Sequence, residues 1–243
     1  PGLTDMSRLQ KMLWSTQRPV MILGGSRWSE KAWAATQRFA ERFDIPVFTT
    51  FRRGHLFDQT HKNYGGDLGI GPNPKLLARI KSADLVLLVG SRMGEMPSQS
   101  YTLFEIPQPR QTFVHVHPDI NELGRVYRPH LAINASPTAF AAALEGLQAP
   151  NTIPWAGEAD TAHADYLAFT DKATDVPGAV NLGEIMVWLR DNLAPDAVIT
   201  NGAGNFATWI NRFYRFRRYN TLIAPTSWSM GYGLPASLAM KTL

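Results

Sequence analysis

Pro19-Val20-Met21-Ile22-Leu23-Gly24-Gly25-Ser26 is the stretch on which the fold turns. Val20 to Leu23 are apolar without interruption, the habit of a strand buried on both faces in a parallel sheet. Two glycines follow at once and allow a tight turn with close backbone approach. Ser29 and Glu30 then open a helical pattern through Ala32, Ala35, Phe39, Ala40 and Phe43. Strand, glycine turn and helix make the first half of a βαβ unit, and a helix N-terminus beside the turn favours anions. The glycines also have a plainer use, close packing of helix on strand.

The same grammar repeats downstream. Ile45-Pro46-Val47-Phe48-Thr49 reads as a strand with its proline at the entry. Phe51 to Gly71 reads as a long loop containing five glycines. Asn73-Pro74 starts a helix to about Ser82. Leu85 to Val89 is the clearest buried strand, and it ends in a second glycine-bearing loop, Gly90-Ser91-Arg92-Met93-Gly94. Thr112 to Val116 and Leu131 to Ile133 are further strands, and Ser136-Pro137 caps a helix ending near Leu147. At the N-terminus, Thr4-Asp5 reads as the cap of a first helix. The fold class expected is α/β, a doubly wound parallel sheet of about six strands with helices on both faces.

After a linker at Gln148 to Pro154 and a polar helix carrying Tyr166, Asn181 caps an amphipathic helix. Then the pattern restarts: strand at Ala197 to Thr200, turn at Asn201-Gly202-Ala203-Gly204, helix at Asn205 to Arg212, strand at Asn220 to Ile223, and a helix from Gly231 to Leu243. Two strands make too small a sheet to stand alone. The expected division is therefore 1–147, a connecting stretch 148–180, and an incomplete second α/β domain over 181–243.

Composition narrows the classes. The chain has 243 residues, 44% apolar and 18% charged, with a formal charge of +4 and no cysteine. Disulfides, zinc–thiolate sites and thiol nucleophiles are excluded. With neither a membrane-length apolar run nor a signal-peptide pattern, the expectation is a cytoplasmic protein that does not engage membranes. Arginine alternates with aromatics from Arg212 to Tyr219, as in grooves for single-stranded nucleic acid; arginines covering apolar surface explain it better, and no nucleic-acid partner is expected. His115 and His117 share one strand face, yet lack a third ligand nearby, so no metal site is expected. Asp119, Glu122 and Arg125 read as helix-start and surface charges, and Asp67 as a turn former.

The block Pro225-Thr226-Ser227-Trp228-Ser229-Met230-Gly231-Tyr232-Gly233-Leu234-Pro235-Ala236 resembles the start of the diphosphate-binding domain in thiamine-diphosphate enzymes of the acetolactate synthase type. Arg18 to Gly25, Ile45 to Thr50, Gly54, His61, Gly65, Asp84 to Arg92, and His115 to Asp119 with Leu123-Gly124-Arg125 resemble the central domain of that family. The resemblance implies thiamine diphosphate and magnesium in the complete enzyme, a small 2-oxo acid or related acyl donor as substrate, and a homo-oligomer, dimer or tetramer. It further implies that a preceding pyrimidine-binding domain and the remainder of the third domain, with its magnesium ligands, lie outside these residues. No catalytic residue is then assigned within the chain, which alone is expected to be inactive.

By the same resemblance Gly202, Gly204 and Asn205 meet the cofactor's diphosphate, and Met230 props it in a bent shape. Trp228 departs from the glycine of many relatives and places an indole in or near the pocket. Synthases of this family hold a flavin in the central domain whereas many relatives do not, so flavin stays open, with Gly24, Gly25, Ser26, Gly90, Ser91 and Arg92 as its contacts. The alternative is a nucleotide- or flavin-binding, or purely structural, α/β module without catalysis.

Overall fold

The computed structural model describes residues 1–242. Six parallel strands form the main sheet: β1 (Pro19–Leu23), β2 (Val47–Thr50), β3 (Tyr64–Leu68), β4 (Leu85–Val89), β5 (Thr112–His117) and β6 (Leu131–Asn134). Their order is β3-β2-β1-β4-β5-β6. The chain thus works outward from β1 in one direction, then returns to lay β4 against β1's other edge, Met21 beside Leu87 and Leu23 beside Val89. That reversal between β1 and β4 is a topological switch point, where the loops at the strand C-termini diverge and leave a crevice.

Helices α1 (Leu3–Ser15), α2 (Glu30–Phe43), α3 (Pro74–Ser82), α4 (Pro137–Leu144) and α5 (Glu158–Thr170) cover the sheet. Side chains alternate across β1: Met21 and Leu23 enter one core with Phe39, Phe43, Phe140 and Leu144, while Val20 and Ile22 enter the other with Leu76, Ile80 and Phe113. Burial on both faces explains why these strands are apolar without alternation. Ser29 caps α2 by accepting from the Ala32 N–H, and Asn73 caps α3 by accepting from Lys75.

Three expectations need correction. The segment expected as a loop from Phe51 to Gly71 contains β3 at the sheet edge. Its Tyr-Gly-Gly-Asp-Leu composition is poor for a strand, but Gly65 lies under the Phe48 ring, and a Cβ at Gly66 would come within 2.8 Å of Leu76. Asp67 is consequently a strand residue and not a turn former. Thr4 and Asp5 lie inside the first turn of α1, whose N-cap is Gly2 with no side-chain cap bond.

The remaining elements are α6 (Leu182–Asn192), β7 (Ile199–Thr200), α7 (Ala207–Phe213), β8 (Leu222–Ile223) and α8 (Gly233–Thr242). Strands β7 and β8 pair in parallel as a separate two-stranded sheet beside a small core of Ile210, Tyr214, Phe216 and Leu222. Leu243, the last residue of the expected final helix, lies outside the described residues. Within the connecting stretch 148–180, Trp155 and Tyr166 belong to the same core as Phe39 and Leu144.

Candidate functional site

The crevice above β1 and β4 is a cleft of about 1070 Å³. It is lined by Gly25, Ser26, Gly90, Ser91 and Arg92 from the loops after those two strands. Gly24 lies just beneath, its carbonyl accepting from the Trp28 indole at 2.8 Å. The two glycine turns are pressed together: a Cβ on Gly25 would strike the Gly90 carbonyl oxygen, and both residues have positive φ, +69° and +79°. Packing and positive φ both require glycine here, and the same packing forms the cleft floor.

Other residues complete the walls, and among them Thr50, Phe51, Arg52, Arg53 and Asn134 carried no role in the sequence analysis. Thr50, Phe51, Arg52 and Arg53 come from the loop after β2, and His117, Asp119 and Asn134 from the ends of β5 and β6. Thr226 and Trp228 reach in from the segment after β8. The signal available was the Arg52-Arg53 pair placed directly after a strand, at the edge where such folds hold ligands. The lining is basic on balance, with Arg27, Arg52, Arg53 and Arg92 set against Glu95 and Asp119.

The two strand histidines both meet backbone groups. His115 Nε2 lies 2.9 Å from the Ser91 carbonyl, and burial lowers its pKa to about 4 despite that bond. His117 Nδ1 is 3.1 Å from the Asp119 backbone N–H. Asp67 differs: its residue is partly exposed, but Oδ2 is buried without a partner. Desolvation pushes its carboxyl up to about 7, and a hydrogen bond with Thr49 only partly opposes this.

The residues expected at a cofactor fall into two groups. Gly202 and Gly204 lie in the turn before α7, and the Gly231–Gly233 turn packs on it. A Cβ on Gly233 would come within 3.0 Å of the Gly202 nitrogen, and Thr200 Oγ1 donates to the Gly233 carbonyl at 2.9 Å. Asn205 stands at the edge of this pair of turns, with its carbonyl bound by the Thr208 N–H and hydroxyl. Met230 is 84% exposed in the loop leading to α8. Trp228 is apart from them at the wall of the first cleft, 51% exposed, with its ring 5.7 Å from that of Phe51.

The two glycine turns thus pack closely against each other, each with backbone N–H groups facing the other turn. A magnesium site is not formed by these residues: among those described, no group of three His, Asp or Glu side chains is placed to hold a metal ion. Nor is any described helix long and apolar enough to cross a membrane. From Arg212 onward the arginines are engaged with the protein, Arg212 lying 4.0 Å over the Phe169 ring and Arg217 donating to the Leu193 carbonyl at 2.7 Å.

An open parallel sheet with a glycine-floored cleft at its switch point belongs to the doubly wound α/β proteins, which hold ligands above their strand ends. The family model for the thiamine pyrophosphate enzyme central domain matches residues 6–144, more than half of the chain, and the chain belongs to that family. It is similar to the acetolactate synthase large subunit of Parasynechococcus marenigrum (strain WH8102), 26% identical over 230 residues, covering 93% of this chain and 36% of that relative. The acetolactate synthase large subunit of Corynebacterium glutamicum is 24% identical over 248 residues, covering 99% and 39%. The isozyme 2 large subunit of Escherichia coli (strain K12) is 22% identical over 238 residues, covering 98% and 42%. The chain spans about two fifths of the length of these curated relatives.

Proposed function

We propose that the chain is part of a thiamine-diphosphate-dependent enzyme of the acetolactate synthase type, which makes or breaks a carbon–carbon bond next to the carbonyl of a small 2-oxo acid. In this reading 1–147 is the central domain, and 181–243 begins the diphosphate-binding domain. The observation that carries it is the meeting of two distant glycine turns, Asn201–Gly204 and Gly231–Gly233, in one cradle, on a chain that aligns with synthases almost end to end. Gly202 and Gly204 offer backbone donors to the diphosphate, Asn205 offers an amide, and Met230 has its side chain free to support the cofactor. The cofactor, when bound, supplies the carbanion chemistry, and the chain's own residues bind, orient and exclude water. Magnesium ligands must come from other residues.

The test uses the product of the full reading frame, assayed against a panel of small 2-oxo acids. Turnover should depend on added thiamine diphosphate and magnesium, and Asn205→Ala should raise the cofactor requirement about tenfold. Turnover indifferent to thiamine diphosphate would overturn the reading.

A second reading concerns the cleft at the switch point and is favoured by its size and basic lining. Ser26, Ser91 and Arg92 are placed to meet a phosphate-bearing ligand such as a flavin or adenine nucleotide, with Gly25 and Gly90 allowing close approach. Flavin bands in the absorbance spectrum of the purified protein would identify a flavin. A spectrum without them, with no binding of added nucleotide, would leave the sheet a scaffold.

A further inference from the structure

Arg52 stands where the cleft meets the segment that follows β8. The residue is only 5% exposed, and its Nη1 donates to the Pro225 carbonyl. The guanidinium carbon lies 4.9 Å from the Phe51 ring centre and 4.5 Å from that of Trp228. Its remaining nitrogens, Nε and Nη2, are buried and have no partner. Arg52, Phe51, Thr226 and Trp228 all line the same cleft.

A guanidinium offers five N–H donors in a planar fork, and leaving buried donors unpaired is costly. An Nε and Nη2 left free side by side match two oxygens of a carboxylate or phosphate. The opposite edge and the face of the same group hold residues 225–228, through the Pro225 carbonyl and the indole. Trp228 itself is half-exposed at φ +61°, with its ring against Phe51 and the Arg52 guanidinium.

We propose that Arg52 is a positioning residue that couples the cleft to the Pro225–Met230 segment. Its free Nε–Nη2 edge takes the anionic group of the cleft's ligand, and its Nη1 edge and face fix Pro225 and Trp228 in response. Occupancy of the cleft is thereby felt at Met230 and at the Gly231–Gly233 turn. This rests on the reading of the cleft as a ligand site.

The test titrates adenosine diphosphate, and inorganic pyrophosphate in parallel, into the purified protein, reading calorimetry and tryptophan fluorescence together. The unaltered protein should bind with a change in fluorescence. Trp228→Phe should still bind and should lose most of that change. Arg52→Gln should weaken binding about tenfold or more and lose the change as well. Arg52→Lys, which keeps the charge but not the fork, should recover part of the affinity, and it carries the comparison where the glutamine variant does not fold. Equal binding by the unaltered protein and both Arg52 variants overturns the proposal and leaves the cleft reading standing. Weaker binding with Trp228 fluorescence unmoved makes Arg52 an anchor only and overturns the coupling. Binding of neither probe removes both the coupling and the cleft reading.

Discussion

Gln59 and Phe216 hold each other by two hydrogen bonds across 157 positions of sequence. The Phe216 N–H donates to Gln59 Oε1 at 3.0 Å, and the Gln59 N–H donates to the Phe216 carbonyl at 2.9 Å. Gln59 Nε2 also lies 2.9 Å from the Tyr64 hydroxyl, which is 3.0 Å from Thr49 Oγ1. The edge of the main sheet is thus joined to the small core after α7 through one buried amide.

Replacing Gln59→Leu removes the amide but leaves the Phe216 N–H buried and unpaired. The expected loss is about 1–3 kcal/mol, read as a lower urea midpoint. If 199–223 docks independently of Gln59, the midpoint will not move.

Trp155 tests where the first core ends. Its indole N–H donates to the Phe43 carbonyl at 2.8 Å, and the residue is 2% exposed. Trp155→Ala should cost about 3–5 kcal/mol, as much as a substitution within β1. A chain ending at residue 147 would lose Trp155 together with Tyr166, whose ring meets Tyr64 edge-on at 4.9 Å. Such a chain should melt well below one ending at residue 171, and equal melting temperatures would show that α5 adds nothing to that core.

The difference between what could and could not be read from sequence lies in range. Leu85 to Val89 announces itself because a strand buried on both faces needs five apolar residues and little else. β3 is hidden because its glycines are required by neighbours, the Phe48 ring and Leu76, that no local pattern reveals. The glycine turns after β1 and β4 were legible, but the arginine between them and Trp228 was not. Arg52 is buried by residues 173 or more positions away, and a loop arginine carries no mark of that in its own surroundings.

Asp67 sets a pH dependence of stability. Its folded pKa, about 7, exceeds the ordinary 3.8, so the folded state binds more protons between these values and stability falls as pH rises through them. His55 and His115 act in the opposite direction. Burial lowers both to about 4 from 6.5, so stability rises with pH over that window. Asp67→Asn should therefore steepen the rise between pH 4 and 6.5. It should also stabilise the protein at pH 8 by on the order of 1–3 kcal/mol. Denaturant melts of the two proteins at pH 4.5, 6 and 8 check this, and parallel curves would mean that Asp67 does not hold its proton.

Trp228 is the second tryptophan whose replacement separates two kinds of role. Unlike Trp155 it is half-exposed, at φ +61°, a conformation that a bulky residue adopts at a cost and glycine adopts freely. Trp228→Gly relieves that cost while losing the contact with the buried Arg52 guanidinium, worth about 1–2 kcal/mol. The two effects oppose each other, so the melting temperature should shift little, in contrast to the large fall expected for Trp155→Ala. Binding should respond instead: the requirement for thiamine diphosphate should change, since residues 225–228 lose the indole's hold on the Arg52 guanidinium. Calorimetric melts and a thiamine diphosphate titration on the one variant decide the matter. A fall in melting temperature as large as that of Trp155→Ala, with that requirement unchanged, would make Trp228 a packing residue and nothing more.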